Sequence, residues 1–88
     1  MKQPFYFMYK LYILYSPSKV RFYIGMTGDL IEERIRKHNS NHKGFTGKTG
    51  DWVLVHLEKY ESKTDALKRE KEIKNWKSKR MIKKLIQD

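Results

Sequence analysis

Cysteine is absent from this chain of 88 residues. Its absence excludes disulfide scaffolds, thiolate zinc sites and cysteine nucleophiles, so the chain must be stabilised by packing alone. A chain without cysteine suits a reducing compartment, and we expect a cytoplasmic protein.

Long hydrophobic runs are absent as well. The longest, Leu11 to Tyr15, is far shorter than the ~20 residues of a membrane span. The first residues also lack the apolar stretch and the cleavage site of a signal peptide, so we expect no membrane association. A chain this short buries only roughly 60% of the surface that its unfolded form exposes, which predicts one domain over residues 1–88 with one small core.

Acidic residues are scarce: 10 Asp and Glu face 20 Lys and Arg, for a net charge of +10. This excess favours a polyanionic partner, and nucleic acid is the first candidate. A highly soluble basic domain without such a partner is the alternative. Hydrophobic residues make up 39% of the chain and aromatic residues 14%, which is enough for a folded core and argues against a disordered basic tail.

Two stretches rich in aromatic and aliphatic residues predict a β-hairpin. Phe5 to Tyr15 is followed by the turn signal Ser-Pro-Ser-Lys at 16–19 and then by Val20 to Ile24. If the turn has a two-residue centre, antiparallel pairing places Tyr12 directly opposite Tyr23 on one face of the sheet.

Capping and charge signals predict three helices, and composition predicts a third strand over residues 52–60. Each predicted helix follows a capping residue: Asp29 before a helix to about Asn39, Ser62 or Thr64 before one to about Trp76, and Ser78 before one to Ile86. Residues 39–50 form a polar, glycine-rich loop. The expected fold class is α+β, a three-stranded antiparallel sheet with flanking helices.

Cationic side chains interrupt the apolar face of the first predicted helix. At about 100° per residue, Arg34 and His38 fall on the same side as Ile31, and their spacing of four makes them project together. The structural alternative is that Arg34 extends from the edge of the apolar stripe and that His38 is a hydrogen-bonded histidine at its rim.

An acidic side chain interrupts the second predicted helix in the same way. Glu70 lies angularly among Ala66, Leu67 and Ile73, which mark the expected buried side. Because burying an unpaired carboxylate is costly, Glu70 must meet either a cation of the protein or a bound metal. A plain salt bridge to Arg34 is the structural alternative.

Two tyrosines, an arginine–histidine pair and one inward glutamate suit phosphodiester chemistry. Arginine and a divalent ion offset the charge that builds on phosphate oxygens in the transition state, and the attacking water needs a proton acceptor. A tyrosine has an ordinary pKa near 10 and serves as that acceptor only with help from nearby positive charge. Spacing alone does not separate this site from a structural polar network.

Four blocks in this order resemble the GIY-YIG nuclease superfamily, most of all its small members similar to the N-terminal nuclease module of the UvrC excision-repair subunit. The second signature is intact as Tyr23-Ile24-Gly25, whereas the first reads Lys10-Leu11-Tyr12, with lysine in place of glycine. The third block covers 33–39 and contains Arg34 and His38, and the fourth covers 66–74 around Glu70.

The resemblance implies a role for each of these side chains in a hydrolase that cuts DNA phosphodiester bonds with one divalent ion, Mg²⁺ or Mn²⁺. Glu70 would bind the metal, and Tyr12 would act as or assist the general base. Tyr23 would position the water or the phosphate, and Arg34 would stabilise the phosphate in the transition state. His38 matches a histidine frequent in this subgroup and would serve proton transfer or contact the leaving group.

The basic residues should supply the contacts to the nucleic-acid backbone, densest between Lys63 and Lys84. We expect phosphate contacts from Arg36, Lys37, Lys43, Lys48, Lys74 and Lys77. DNA is the expected partner, with RNA and the oligomeric state left open. The favoured function is a metal-dependent DNA endonuclease, and the alternative is a nucleic-acid-binding module of the same fold that cleaves little or nothing alone.

Overall fold

The computed structural model describes residues 8–40, 44 and 49–87. Three antiparallel strands form one sheet in the order β2-β1-β3, which confirms the predicted α+β fold class. The elements in chain order are β1 (Tyr9–Ser16), β2 (Arg21–Thr27), α1 (Ile31–His38), β3 (Val53–Tyr60), α2 (Lys63–Trp76) and α3 (Lys79–Gln87).

The β1–β2 hairpin has a different register from the predicted one. Ser16 pairs with Arg21, so four residues rather than two form the turn, and Tyr12 lies opposite Gly25. The predicted direct pairing of Tyr12 with Tyr23 is therefore wrong. Because the shift is by two residues, both tyrosines still point to the same face, as diagonal neighbours with ring centroids 6.2 Å apart.

The longer turn is fixed by a residue distant in sequence. The Val20 N–H donates to the Ser16 carbonyl at 2.8 Å, and Val20 adopts a left-handed backbone with φ of 53°. Asp51 accepts hydrogen bonds from the Ser16 hydroxyl at 2.6 Å and from the Ser18 N–H at 2.9 Å. The register thus depends on a carboxylate that turn chemistry alone does not reveal.

The helix α1 starts later than its sequence signal predicts. It begins at Ile31 after Leu30, with no side-chain cap, so the prediction that Asp29 caps the helix is wrong. Asp29 is held elsewhere: its carbonyl accepts from Lys10 Nζ at 3.0 Å, and its N–H donates to Thr27 Oγ1 at 3.0 Å. These bonds fix the loop between β2 and α1 to both strands.

The two faces of β1 pack into two separate apolar clusters. On one face Leu11 and Ile13 are buried against Ile73 of α2 and Ile82 of α3. The other face carries the fully buried Tyr12 and Leu14 with Trp52, and α1 packs on it through two half-buried isoleucines, Ile31 and Ile35. The fold therefore has three layers, with the sheet in the middle, α1 on one side and the C-terminal helices on the other.

The caps of α2 and α3 are confirmed. Ser62 Oγ accepts from the Asp65 N–H and Ser78 Oγ from the Met81 N–H, both at 3.2 Å. The prediction that Leu67 lies on the buried side is wrong, because its side chain is 43% exposed and packing is left to Ala66 and Ile73. Within the described ranges, none of these helices has the length and apolar character needed to cross a membrane.

A carboxylate on β3 joins the sheet to α2. Glu58 accepts two hydrogen bonds from Arg69, at 2.9 and 3.1 Å, one from the Tyr60 hydroxyl at 2.6 Å, and lies 2.8 Å from His56 Nε2. Burial on its own raises the pKa of this carboxyl group, but these hydrogen bonds, that of Arg69 foremost, outweigh burial and lower the pKa to about 2. The charged form of Glu58 therefore stabilises the fold.

Glu58→Gln should lower the free energy of unfolding by about 1–3 kcal/mol at neutral pH, because it removes a charged partner of Arg69. The folded-state pKa lies below the ordinary value of 4.5, so the stabilisation is present above pH 4.5 and disappears as the pH falls from 4.5 towards about 2. Urea unfolding of both proteins across this range measures the difference. A difference between them that does not change with pH would contradict the assignment.

Candidate active site

The hydroxyl of Tyr12 is the centre of a polar cluster beneath α1. The Tyr12 side chain is completely buried, and its Oη lies 2.8 Å from Nε2 of His38, which is only 7% exposed. The half-buried Arg34 donates from Nε to the same oxygen at 3.3 Å. The predicted shared face of Arg34 and His38 is confirmed, and both side chains converge on one atom.

The donors and acceptors available on each side chain determine the direction of the hydrogen bonds in this cluster. Arginine can only donate, so the Tyr12 oxygen is the acceptor in its bond with Arg34. The phenolic proton can then be donated to His38 Nε2, which accepts it in the neutral tautomer that carries its own proton on Nδ1. In that tautomer the chain of donors runs from Arg34 through Tyr12 to His38.

Burial is the main influence on the acidity of Tyr12 and raises its pKa, since it disfavours the phenolate. The hydrogen bond from Arg34 acts in the opposite sense, and the negative charge of Glu70 adds to the rise. Tyr12 therefore holds its proton unless a neighbouring base takes it. His38 is in contact with that proton.

Tyr23 completes an aromatic wall around the cluster. Its ring centroid lies 4.6 Å from that of His38 and 6.4 Å, edge-on, from that of Trp52. The structure thus brings four of the five predicted catalytic side chains, Tyr12, Tyr23, Arg34 and His38, into one contiguous group.

Glu70, the fifth predicted catalytic residue, lies on α2. The predicted alternative of a salt bridge to Arg34 is wrong: Glu70 Oε2 accepts from Lys74 Nζ at 2.8 Å, one helical turn away. The Glu70 side chain is 19% exposed, and its charge reaches Tyr12. The spacing of four between Glu70 and Lys74 on one helix is the sequence signal that favours this local pair.

The donor set suits a hard divalent ion held through one carboxylate. No group of three or more His, Cys, Asp or Glu side chains converges within residues 8–40, 44 and 49–87. Mg²⁺ commonly keeps several waters and binds one or two protein carboxylates together with substrate phosphate. Glu70 fits that pattern, because its Oε1 accepts no hydrogen bond from the described residues and the side chain reaches solvent.

The residues predicted to contact phosphate occupy two exposed surfaces. Arg36 and Lys37 lie on the outer face of α1 next to His38, with Arg36 paired to Glu33 at 2.9 Å. Lys74 and Lys77 lie at the end of α2. The remaining two predicted contacts, Lys43 and Lys48, lie outside the described residues.

Gly25 and Lys10 contribute to the site although neither was among the predicted site residues. A Cβ on Gly25 would lie 2.7 Å from both Cζ and Oη of Tyr12, and 3.0 Å from Cε2 of Tyr23. Only glycine therefore allows the Tyr12 ring its position, and glycine inside a strand is a signal of such close approach. Lys10 replaces a signature glycine and is 8% exposed, and its ammonium group donates a hydrogen bond to the Asp29 carbonyl.

Gly25→Ala should displace the Tyr12 hydroxyl from His38 and destabilise the fold by about 1–3 kcal/mol, since the buried ring has no room to retreat. Gly28→Ala is the matched control, because a Cβ there meets the edge of the half-buried Tyr9 ring at 3.2 Å and lies outside the cluster. Urea unfolding measures the cost, and NMR signals of the His38 ring report the displacement. Equal effects of the two substitutions on His38 would contradict the role of Gly25.

Comparison with known families agrees with this geometry. No significant match is found among curated proteins or among solved structures. The family model of the GIY-YIG catalytic domain matches residues 8–84, which span all six helices and strands down to the last turn of α3. The chain therefore belongs to the GIY-YIG family, a family of nucleases.

Proposed function

We propose that this protein is a metal-dependent DNA endonuclease, with residues 1–88 forming one nuclease domain. The observation that carries the proposal is the chain of hydrogen bonds from Arg34 through Tyr12 to His38. A proton acceptor and a cation thus contact the phenolic oxygen of Tyr12, and the negative charge of Glu70 influences the same group. We further propose a cytoplasmic location.

The proton route starts at Tyr12. A water molecule attacks phosphorus, a new P–O bond forms, and the P–O bond to the leaving oxygen breaks. The attacking water gives its proton to Tyr12 Oη as the phenolic proton passes to His38 Nε2. Because the two transfers occur together, no free phenolate forms, and the raised pKa of Tyr12 does not oppose the reaction. The leaving oxygen takes a proton from solvent, and His38 returns its proton to the bulk before the next turnover.

The remaining side chains offset charge and set position. Arg34 uses Nε for Tyr12, which leaves its Nη groups for a non-bridging phosphate oxygen. Tyr23 packs on the His38 ring and limits where the water can sit. Glu70 would hold Mg²⁺ or Mn²⁺, and the bound ion would supply positive charge to the phosphate.

A nucleic-acid-binding module with little cleavage of its own is the second candidate. It is favoured by one observation, the 2.8 Å bond from Lys74 that already neutralises Glu70 without a metal. A binding module needs only the basic surface, because phosphate contacts supply most of the non-specific affinity for nucleic acid.

Tyr12→Phe should lower the cleavage rate at least about 100-fold and Glu70→Gln should abolish cleavage, because the first removes the proton relay and the second the metal ligand. Tyr15→Phe is the matched control, since Tyr15 packs on Phe22 outside the cluster. Turnover on single-stranded, branched and duplex DNA with Mg²⁺ or Mn²⁺ is the measurement. Glu70→Gln should change stability by only about 0–1 kcal/mol, since Lys74 is half exposed.

The outcomes separate the two candidates. If both variants cut DNA at the wild-type rate, the proposed active site is wrong. Wild-type protein that binds DNA and cuts none of these substrates supports the binding module, and preferential cleavage of the matching RNA would move the substrate class to RNA.

A further inference from the structure

A second group of cations lies on the face of the sheet opposite Tyr12. A cleft of about 250 Å³ opens between β2 and the junction of α2 with α3. Its floor includes Ile73 and Ile82 of the apolar cluster on that face. Four basic residues line it: Lys74, Lys77 and Lys79 near the junction of the helices, and Arg21 at the start of the edge strand β2. None of the described residues that line the cleft is acidic.

Two of the four cations have no partner within the described part of the chain. Lys74 pairs with Glu70, and Lys79 Nζ donates to the Val20 carbonyl at 3.2 Å. The side chains of Arg21 and Lys77 make no hydrogen bond or ion pair with any described residue. Positive charge that converges without compensation is an arrangement typical of anion binding.

The backbone of Lys77 supports a use for its side chain. Lys77 ends α2 in the left-handed conformation, with φ of 50°, where glycine carries no steric penalty. A lysine at this position costs stability, and such cost is typically found where the side chain serves function.

Lys74 connects the cleft to the candidate active site, because it lines the cleft and bonds to Glu70. From Glu70 to Lys77 the chain advances seven residues, about 10 Å along a helix axis. The axial rise of about 3.4 Å per nucleotide is shorter than the separation of successive phosphates, so this distance spans at most about three nucleotides of a strand.

We propose that this cleft binds a backbone phosphate of the strand being cut, within about three nucleotides of the scissile bond. The position of this phosphate relative to the cut rests on the proposed nuclease function. The binding itself rests on Arg21, Lys77 and Lys79. It extends the nucleic-acid path from the Tyr12 face around the β2 edge of the sheet to the α2–α3 junction.

The test measures DNA affinity in metal-free buffer, so it does not depend on cleavage. Arg21→Gln combined with Lys77→Gly removes two cations of the cleft, and the control Lys63→Gln with Lys68→Gln removes two exposed cations of α2 away from it. The cleft variant should bind about tenfold more weakly near 0.1 M salt, and its log K against log salt slope should fall by about 0.9 per lost phosphate contact. The control removes the same charge from the basic segment outside the cleft, so it should lose less affinity than the cleft variant.

Unfolding cannot explain the expected loss, since Lys77→Gly relieves the left-handed backbone and Lys77→Gly alone should melt at or above the wild-type temperature. A scan with single uncharged methylphosphonate linkages then locates the contact. Wild type and control should lose affinity at one linkage within about three nucleotides of the cut. The cleft variant should be insensitive at that linkage.

Equal affinity and slope for the cleft and control variants would overturn the cleft assignment and leave the nuclease proposal intact. If the wild type cuts no DNA but the cleft variant alone loses affinity, the nuclease proposal fails and the cleft stands as a phosphate site. In that case the position of the sensitive linkage is measured from the end of the oligonucleotide.

Discussion

The buried hydroxyl of Tyr12 imposes a constraint on everything around it. A phenolic oxygen that is buried in the resting protein must find hydrogen-bond partners, or its burial costs a few kcal/mol. His38 and Arg34 provide them from one face of α1, which fixes the rotation of that helix on the sheet. Gly25 makes the arrangement possible, because any larger residue opposite Tyr12 would occupy the space of its ring.

The same bonds that satisfy Tyr12 make it chemically useful. Since Arg34 donates to the phenolic oxygen, the proton of Tyr12 is free to point at His38, and burial keeps the phenol protonated until that base accepts the proton. Structure and proposed mechanism thus depend on one set of contacts. A substitution that loosens the cluster should lower stability and cleavage together, whereas Tyr12→Phe separates them by keeping the ring.

The central strand allows the site and the core to coexist in a small protein. Alternate residues of β1 face opposite sides, so Leu11 and Ile13 anchor α2 and α3 while Tyr12 faces α1. Helix α2 contributes to both the core and the site, because Ile73 lies in the core and the negative charge of Glu70 helps to raise the pKa of Tyr12. Lys74 lies between Glu70 and the cationic cleft and joins the two proposed phosphate-binding regions.

Sequence reasoning predicted the parts of this structure that local patterns encode. The strands, the Ser62 and Ser78 caps and the convergence of Arg34 with His38 follow from periodicity and capping chemistry. The hairpin register does not, because it depends on Asp51, thirty-five residues from its partner Ser16. The sequence patterns also do not reveal that Asp29 does not cap α1, because its carbonyl accepts a hydrogen bond from Lys10 on β1.

The pairing of Glu70 could have been predicted from the sequence. Glu70 and Lys74 are spaced by four on one helix, which favours a local ion pair over the predicted alternative of a salt bridge to Arg34 on α1. Gly25 could have been identified as a site residue, because a glycine in the middle of a strand signals close approach of another group.

The protonation of the His38 ring tests the central claim most directly, and ¹⁵N NMR of the free protein at neutral pH measures it. A neutral ring with its proton on Nδ1 and an unprotonated Nε2 is the expected result, and Tyr12→Phe should shift the Nε2 signal whereas Tyr15→Phe should not. A proton on Nε2 in the resting protein, or an Nε2 signal indifferent to the loss of the Tyr12 hydroxyl, would contradict the relay from Tyr12 to His38.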